Sequence, residues 1–507
     1  MNKVYRTIWS KALGTFVAAS ELDSAAGKGR GGVAVDLCDQ RARLQTGSSE
    51  GLGGTGVAWG SLCPQRFELV ATSKSTRTGG MVAAALLTVF GVAPAQAQSI
   101  GGGNATTSSA LSVGTCSNSY GTNDVAIGWC SGAAGGNSTA IGANSVANSD
   151  SATALGSFAY AVAQSATAIG ENSVARGIGS VALGVGASSS NAQDISIGTS
   201  SSASGGNSAA LGIGSQASGA AATVLGAYAV GSANVSVALG AVSSATGQGA
   251  IAIGNGSKAI QTVAIALGSG ATASAVDSAA VGVGATASGT YATSVGQNTT
   301  ASGQAGTALG ASALASAQQA TSLGANSTAA AAQSVALGQS LVAAAAGRGA
   351  IAGGSGSEVT SGTGAVALGY QQTAAGNGAV AIGDPNSATG TGAVAVGANN
   401  TATGMGAVAL GNSNLASGTG SLALGSTSTA AAAGGVALGA SSVATNANDV
   451  ALGSGSVTAA ANPTSSVTVG GATSSVAGTS PASVVSVGAA GAERQITNVA
   501  AGRVSAT

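Results

Sequence analysis

From Gly114 to Gly338 a glycine recurs every fourteen residues, seventeen times in succession, and each is preceded by Val, Ile or Leu, as in Val125-Ala126-Ile127-Gly128. A strict period of this kind marks structural units that cannot bury an apolar face alone and are stabilised by stacking on their neighbours. Taking each glycine as position zero, position −1 is aliphatic, −3 is mostly Val, Ile, Thr or Ala, and −2 is nearly always Ala or Ser, so the run alternates with period two and predicts a strand. A second short strand is predicted at +3 to +5, for example Ser145-Val146-Ala147 and Ser173-Val174-Ala175. Position +4 accepts Lys258 and Gln216 and so faces water. Positions +3 and +5 then point inward, where their small side chains are expected to oppose the aliphatic groups at −1 and −3. The alanines at −2 (Ala126, Ala140, Ala154) fall on the opposite face as an uncharged ribbon, which is expected to pack against another chain because soluble monomers rarely expose so long an apolar strip.

The fold this predicts is all-β: a left-handed parallel β-roll, a solenoid of fourteen-residue rungs occupying residues 111–490, preceded by a short mature segment at 98–110. About 27 rungs stacked at the usual inter-strand spacing of about 4.8 Å give a rod on the order of 130 Å long. The period slips in four places: Gly338 to Gly354 is two residues too long, Gly354 to Gly369 one, Gly453 to Gly470 three and Gly470 to Gly488 four. The first pair brackets a weak rung in which Gly353 takes the aliphatic slot, and a bulge or lateral insertion is expected around the Glu358 loop.

Composition agrees with a thin rod. Of 507 residues 85 are glycine, only 3% are aromatic and 6% charged, too few large side chains to fill a globular core. Ten of the fifteen basic residues lie before residue 81, and from residue 98 onward five basic residues face nine acidic ones, which removes the electrostatic case for a nucleic-acid partner. Residues 81–93 form an apolar run that follows Lys74 and Arg77 and precedes Ala95-Gln96-Ala97. This is the pattern of a cleavable export signal (81–97) cut between Ala97 and Gln98. The run falls short of the roughly 20 apolar residues that span a bilayer.

The opening segment, with Lys3, Tyr5, Arg6, Trp9, Ser10 and Phe16, resembles the extended signal peptide region of large Gram-negative autotransporters over residues 1–28, with Ser10 and Phe16 where the usual pattern has Asn and Trp. Residues 29–80 form a leader segment with no clear role. The repeats Ser180–Gly184, Ser334–Gly338 and Asn137–Gly142 resemble the head repeats of YadA-like trimeric autotransporter adhesins. Glu493-Arg494-Gln495-Ile496-Thr497-Asn498-Val499 is similar to that family's neck motif, here partial over 491–507. The resemblance implies a homotrimer displayed on the bacterial cell surface or outer membrane. Its implied partners are a host extracellular matrix protein such as collagen, a cell-surface receptor or other bacteria. The family's coiled-coil stalk and barrel segment do not appear before Thr507, so the chain reads as cut inside the neck, with the membrane anchor absent from these residues.

Other chemistry is sparse. Cys38 and Cys63 lie in the leader, whereas Cys116 and Cys130 stand fourteen apart at +2 of consecutive rungs. Stacking in register puts their Cα atoms about 5 Å apart, inside the disulfide range, in a compartment that favours oxidation. Two separate thiols, or a bridge between chains, are the alternatives. With no histidine in the sequence, imidazole catalysis and histidine metal sites are excluded. Gly-x-Gly patterns such as Gly177-Ile178-Gly179 follow from the repeat itself. Asp124, Asp150, Asp194, Asp277 and Asp449 are isolated and read as solvated or turn-capping acids. Lys258, Arg176 and Arg348 make no patch. Trp129, Phe158, Tyr160, Tyr228, Tyr291 and Tyr370 are the few large groups, equally suited to a contact site or to filling a trimer edge. No enzyme, cofactor or metal is expected. An ice-binding or other surface-layer structural role is the rival, motivated by the threonine column Thr139, Thr153 and Thr167.

Overall fold

Each repeat folds as one rung with a longer and a shorter strand, and each strand pairs in parallel with its counterparts on the rungs before and after. The computed structural model describes residues 5–10, 15–20, 97–339, 342–343 and 347–500; the apolar export run 81–93 lies outside these. The chain divides into two units, Met1–Ala85 and Leu86–Thr507. In the first, Tyr5–Ser10 pairs antiparallel with Thr15–Ser20. The second contains two parallel ladders, one of 27 longer strands and one of 25 shorter strands.

Register follows the sequence period. Thr139–Ile141 pairs with Thr153–Leu155 so that Ala140 faces Ala154, and Val146–Ala147 pairs with Tyr160–Ala161. Like residues therefore stack on like along the rod, the arrangement that keeps every strand amide paired while only neighbouring rungs touch.

Two turns connect the strands. Positions +2 and +9 adopt left-handed backbone, as at Asn144 (φ 54°) and Asn137 (φ 58°), which explains why Asn, Gly and Ser recur there. The column glycine answers to a different constraint. Gly128 has φ 133°, and a Cβ on it would lie 2.5 Å from the carbonyl oxygen of Gly142 on the next rung. No larger residue fits either requirement.

The burial of the longer strand reverses the sequence expectation. Ala126, Ala140, Ala154 and the rest of the −2 column are fully buried inside the roll, together with Ser131, Ser145, Ala133 and Ala147 at +3 and +5. The aliphatic residues at −1 and −3 point out of the chain: Ile141 is 37% exposed, Leu183 40% and Leu225 49%. The apolar ribbon is real, but it is built from Val, Ile and Leu rather than Ala. The reason is thickness, because two strand layers joined by such tight turns leave room only for methyl-sized groups.

Rung 226 shows the limit. It carries Val224 at −2, and there alone in the regular array +5 is glycine: a Cβ on Gly231 would sit 2.7 Å from Val224 Cγ2. Serine at +3 serves the turn as well as the core, since Ser145 Oγ donates to Gly142 O (2.9 Å) and Ser243 Oγ to Gly240 O (2.8 Å). Where −2 is serine, its hydroxyl meets the +3 hydroxyl, as in Ser196 with Ser201 at 2.7 Å, so the buried polar groups are paired.

The slips in period have distinct solutions. Leu337 pairs with Gly353, and the additional residue before Gly369 is absorbed by a register shift between Val359 and Ser361. The Glu358 segment is thus the strand Glu358–Ser361 rather than a loop. Gly470 is not a rung glycine. It turns an antiparallel hairpin, Ser466–Val469 with Ala472–Ser475, and the longer-strand ladder resumes only where Val485 pairs with Val450.

The thin core makes a double-mutant test. Gly231→Ala should destabilise the head by roughly 1–3 kcal/mol through overpacking, and adding Val224→Ala should restore most of it, a coupling of at least about 1 kcal/mol. Thermal unfolding of the two single variants and the double variant measures it, and additive losses would contradict the packing described.

Candidate functional site

A roll this thin has no interior to hold a ligand, so whatever the chain recognises must meet its outer faces, its turns or its ends. The outer face of the longer strands is a continuous aliphatic strip interrupted by threonine. Thr139, Thr153 and Thr167 do stack in register, but Val181 and Ile195 follow them in the same column. The threonines therefore belong to a mixed, half-buried apolar face and form no extended hydroxyl plane.

The outer face of the shorter strands is mixed: Val146, Tyr160 and Val174 stack on one another in one stretch, and polar residues follow one another in others. Lys258 stacks on Thr272, Thr272 on Thr286 and Thr286 on Thr300, and farther along Thr373, Ser387 and Thr401 continue the column. The two outer faces thus differ in degree, aliphatic residues and threonine on one side and a mixture with polar runs, such as Thr272 to Thr300 and Thr373 to Thr401, on the other.

On the shorter-strand side lies a depression that sequence reasoning missed. At position +3, where serine is usual, Gln372, Asn386, Asn400 and Asn414 form a buried column. Asn400 Nδ2 donates to Asn386 Oδ1 (2.9 Å), Val396 O (3.0 Å) and Gly411 O (2.7 Å), while its Oδ1 accepts from the backbone N–H and the side-chain amide of Asn414. Over the same stretch the longer strands run to five residues, for example Val380–Asp384 and Val394–Ala398. Above the column lies a shallow groove of about 300 Å³ lined by Gln371, Thr373, Pro385, Asn386, Ser387, Asn399, Asn400 and Thr401. The clue in the sequence was the change from Ser to Gln or Asn at one fixed position over four rungs.

The large side chains do not gather. Trp129, Tyr228, Tyr291 and Tyr370 are half or more exposed and Phe158 somewhat less, on different turns. Tyr228 lies across its neighbour, where a Cβ on Gly214 would be 2.8 Å from the ring. Three of the acids read as solvated or turn-capping are buried. Asp194 Oδ1 accepts from the backbone N–H groups of Gly206 and Ser208 and from Ser208 Oγ (2.7 Å), and its Oδ2 accepts from Asn191 N. Asp124 repeats this with Ser138. These carboxylates pin turns to the next rung. Among the described residues no three His, Cys, Asp or Glu side chains come together as a metal site.

Both ends carry the remaining expected residues. Ala97 is exposed, and Gln98 begins the first strand, its N–H donating to Ala110 O at 2.8 Å. Cys116 and Cys130 occupy left-handed seats on adjacent rungs with Cα atoms 4.5 Å apart, at the short end of disulfide geometry. We propose that they form a bridge that staples the tip, where fraying of a solenoid is greatest.

At the other end Arg494 folds back on the last rung. Its Nη1 donates to Ser456 Oγ (2.8 Å) and Val487 O (2.6 Å), and its Nη2 to Ser454 O. The neighbouring Glu493 accepts from Gly491 N at 2.9 Å. Gln495, Ile496, Thr497, Asn498 and Val499 are exposed, with Ile496 and Val499 as apolar groups open to a partner. Asp449 ties the base together, accepting from Val484 N (2.9 Å) across the hairpin insertion. Burial pushes its carboxyl up, but hydrogen bonds from Val484, Thr458 and Asn446 outweigh this and hold its pKa below the ordinary value.

Comparison with known proteins places these observations in context. Residues 1–49 match the extended signal peptide of the type V secretion system. The YadA head domain repeat matches eleven segments between residues 133 and 456, together more than half of the chain. Among solved structures, the C-terminal YadA-like domain of a Burkholderia pseudomallei protein is 50% identical over 18% of this chain and 41% of that one, with a TM-score of 0.13. No curated protein matches the chain as a relative.

Two measurements address the ends. Non-reducing peptide mapping should recover Cys116 and Cys130 as one linked species, and Cys116→Ser with Cys130→Ser should speed proteolysis of the first rungs while leaving the middle intact. Because the folded pKa of Asp449 lies below its unfolded value, its stabilising contribution is complete above about pH 4 and is lost as pH falls through the folded value. Protection of the Val484 to Ser486 amides, taken relative to their intrinsic exchange rates at each pH, should therefore fall on acidification, and Asp449→Asn should flatten that dependence.

Proposed function

The chain belongs to the family of trimeric autotransporter adhesins that carry YadA head domain repeats, and from that premise we propose that its rod is the attachment head of a cell-surface homotrimer. The extended signal peptide and the repeats mark an exported autotransporter passenger. The observation that carries the trimer reading is the aliphatic strip: Ile141, Leu183, Leu225, Ile253, Leu309, Leu323 and Leu337 recur at −1 at intervals of one to four rungs, each at least 37% exposed in the single chain. A strip of this length needs a cover, and threefold packing of like strips about a common axis supplies it, leaving the shorter-strand faces outward.

Attachment then falls to the outward faces and turns. Near-identical rungs, tripled by symmetry, present many weak sites whose combined avidity far exceeds any one of them. Matrix proteins such as collagen, receptors on host cells and other bacteria are the partners this reading favours. Export is proposed to end with cleavage between Ala97 and Gln98, so that the mature chain begins at its first strand. Residues 491–499 are proposed as a neck whose exposed Ile496 and Val499 meet their symmetry mates.

Purified residues 98–507 should sediment as an elongated trimer with β-rich circular dichroism, and should be retained on immobilised matrix protein or on receptor-bearing cells. Leu225→Asp with Leu239→Asp should lower the sedimentation coefficient toward that of a monomer with little change in dichroism, since each buried leucine contributes about 2 kcal/mol. A wild-type monomer would overturn the assembly, and a trimer that adheres to none of these targets would overturn the attachment role.

A further inference from the structure

We propose that the groove over the Asn386 and Asn400 rungs is a binding site for a neutral glycan, an inference that rests on the attachment reading and names a ligand class for it. The volume of the groove, about 300 Å³, lies at the lower end of small-ligand pockets, suiting one or two sugar rings of a longer chain. It opens on the shorter-strand side, opposite the aliphatic strip, so assembly through that strip leaves it accessible.

The lining chemistry selects the ligand. The accessible groups are the amides of Gln371 and Asn399 and the hydroxyls of Thr373, Ser387 and Thr401. Amides offer both donors and acceptors, and hydroxyls offer either, which is the complement of a sugar hydroxyl that must donate and accept together. Apolar ligands find little to bury there.

Charge excludes the anionic alternative. Between Arg348 and Arg494 the sequence has no Lys or Arg, whereas Glu358, Asp384 and Asp449 fall in that stretch. A sulfated or carboxylated polysaccharide would meet no counter-charge and would be repelled.

Preorganisation supports the same conclusion. The floor is the Asn column, whose amides are spent on one another and on the carbonyls of Ile382, Val396 and Gly397, so it cannot rearrange to follow a ligand. Gln371 and Asn399 stand two rungs apart, about 10 Å at the usual spacing, with Pro385 between them at the same position. The flat pyrrolidine ring adds no competing donor. Two amide arms over a rigid floor make a repeating register for a polymer lying along the rod axis.

The test uses the intact trimer of residues 98–507, titrated with neutral hexose and N-acetylhexosamine oligosaccharides and with a heparin fragment as the anionic contrast. Retention of at least one neutral series is expected, with little change between 0.05 and 0.5 M salt on the order set by screening of uncharged contacts, and with heparin not retained. Gln371→Ala with Asn399→Ala should weaken it at least about tenfold, the loss of two polar contacts at about 0.7 kcal/mol each. Ser387→Tyr, which fills the groove between those arms, should abolish it without changing the melting temperature. Binding that survives both variants, binding only to heparin, or no glycan binding while matrix or cell attachment persists would overturn the glycan site and leave the attachment role standing. Loss of every form of attachment in the wild-type trimer would instead remove the reading on which it rests.

Discussion

The separation between the two strand layers governs the rest of the molecule. With only fourteen residues per rung and two turns to make, the layers approach until a methyl group or a hydroxyl is all that fits between them. Ala at −2, Ser at +3 and Ala at +5 are the residues that meet this limit, and the exchange of Val224 against Gly231 shows how little slack there is. A core of methyl groups buries little area, so each rung depends on its neighbours for both hydrogen bonds and apolar contact. The larger aliphatic groups have no place inside and are displaced to the outer face. The same constraint that permits a long thin rod therefore makes a single rod incomplete, and assembly is a consequence of rung thickness.

The period, the two strands, their parallel register and the inward direction of +3 and +5 were legible in the sequence, because each follows from counting. Which face of the longer strand lies inside was not. Alternation of period two establishes that two faces exist, and a shift of one residue exchanges them; hydrophobicity alone then assigns the larger aliphatic groups to the core. Size was the better guide, since −2 almost never exceeds alanine while −1 is branched everywhere in the regular array from Val113 to Leu337. The same preference for a tidy period counted Gly470 as a rung, although Val469-Gly470-Gly471-Ala472 carries the two-residue turn signature of a hairpin.

Polar groups were the less legible part of the site. Asp124, Asp194 and Asp449 cap turns, one of the two roles the sequence offered for them, but their burial was not legible: each receives backbone N–H groups from its own turn and from the chain that follows. Gln372, Asn386, Asn400 and Asn414 look like turn residues and instead form a satisfied buried column. Burial of this kind depends on what stacks above and below at a spacing of fourteen, so a reading that proceeds along the chain sees single polar residues where the fold places a network.

Where a rod of like rungs acquires specificity follows from its symmetry. A regular rung can offer only what its neighbours also offer, so regular stretches supply length, stiffness and weak repeated contacts. Distinct recognition requires a departure from the repeat, and departures are costly in so thin a core unless they are hydrogen-bonded throughout. The stretch from Ile351 to Ser426 meets both conditions: its strands lengthen, its corner residue enlarges from Ser to Asn, and each added amide finds partners. The hairpin at Ser466–Ser475 departs from the repeat without such internal satisfaction, its strands exposed on every residue. The buried column is thus the departure that the rod itself stabilises, and a site built on it is held in shape before any ligand arrives.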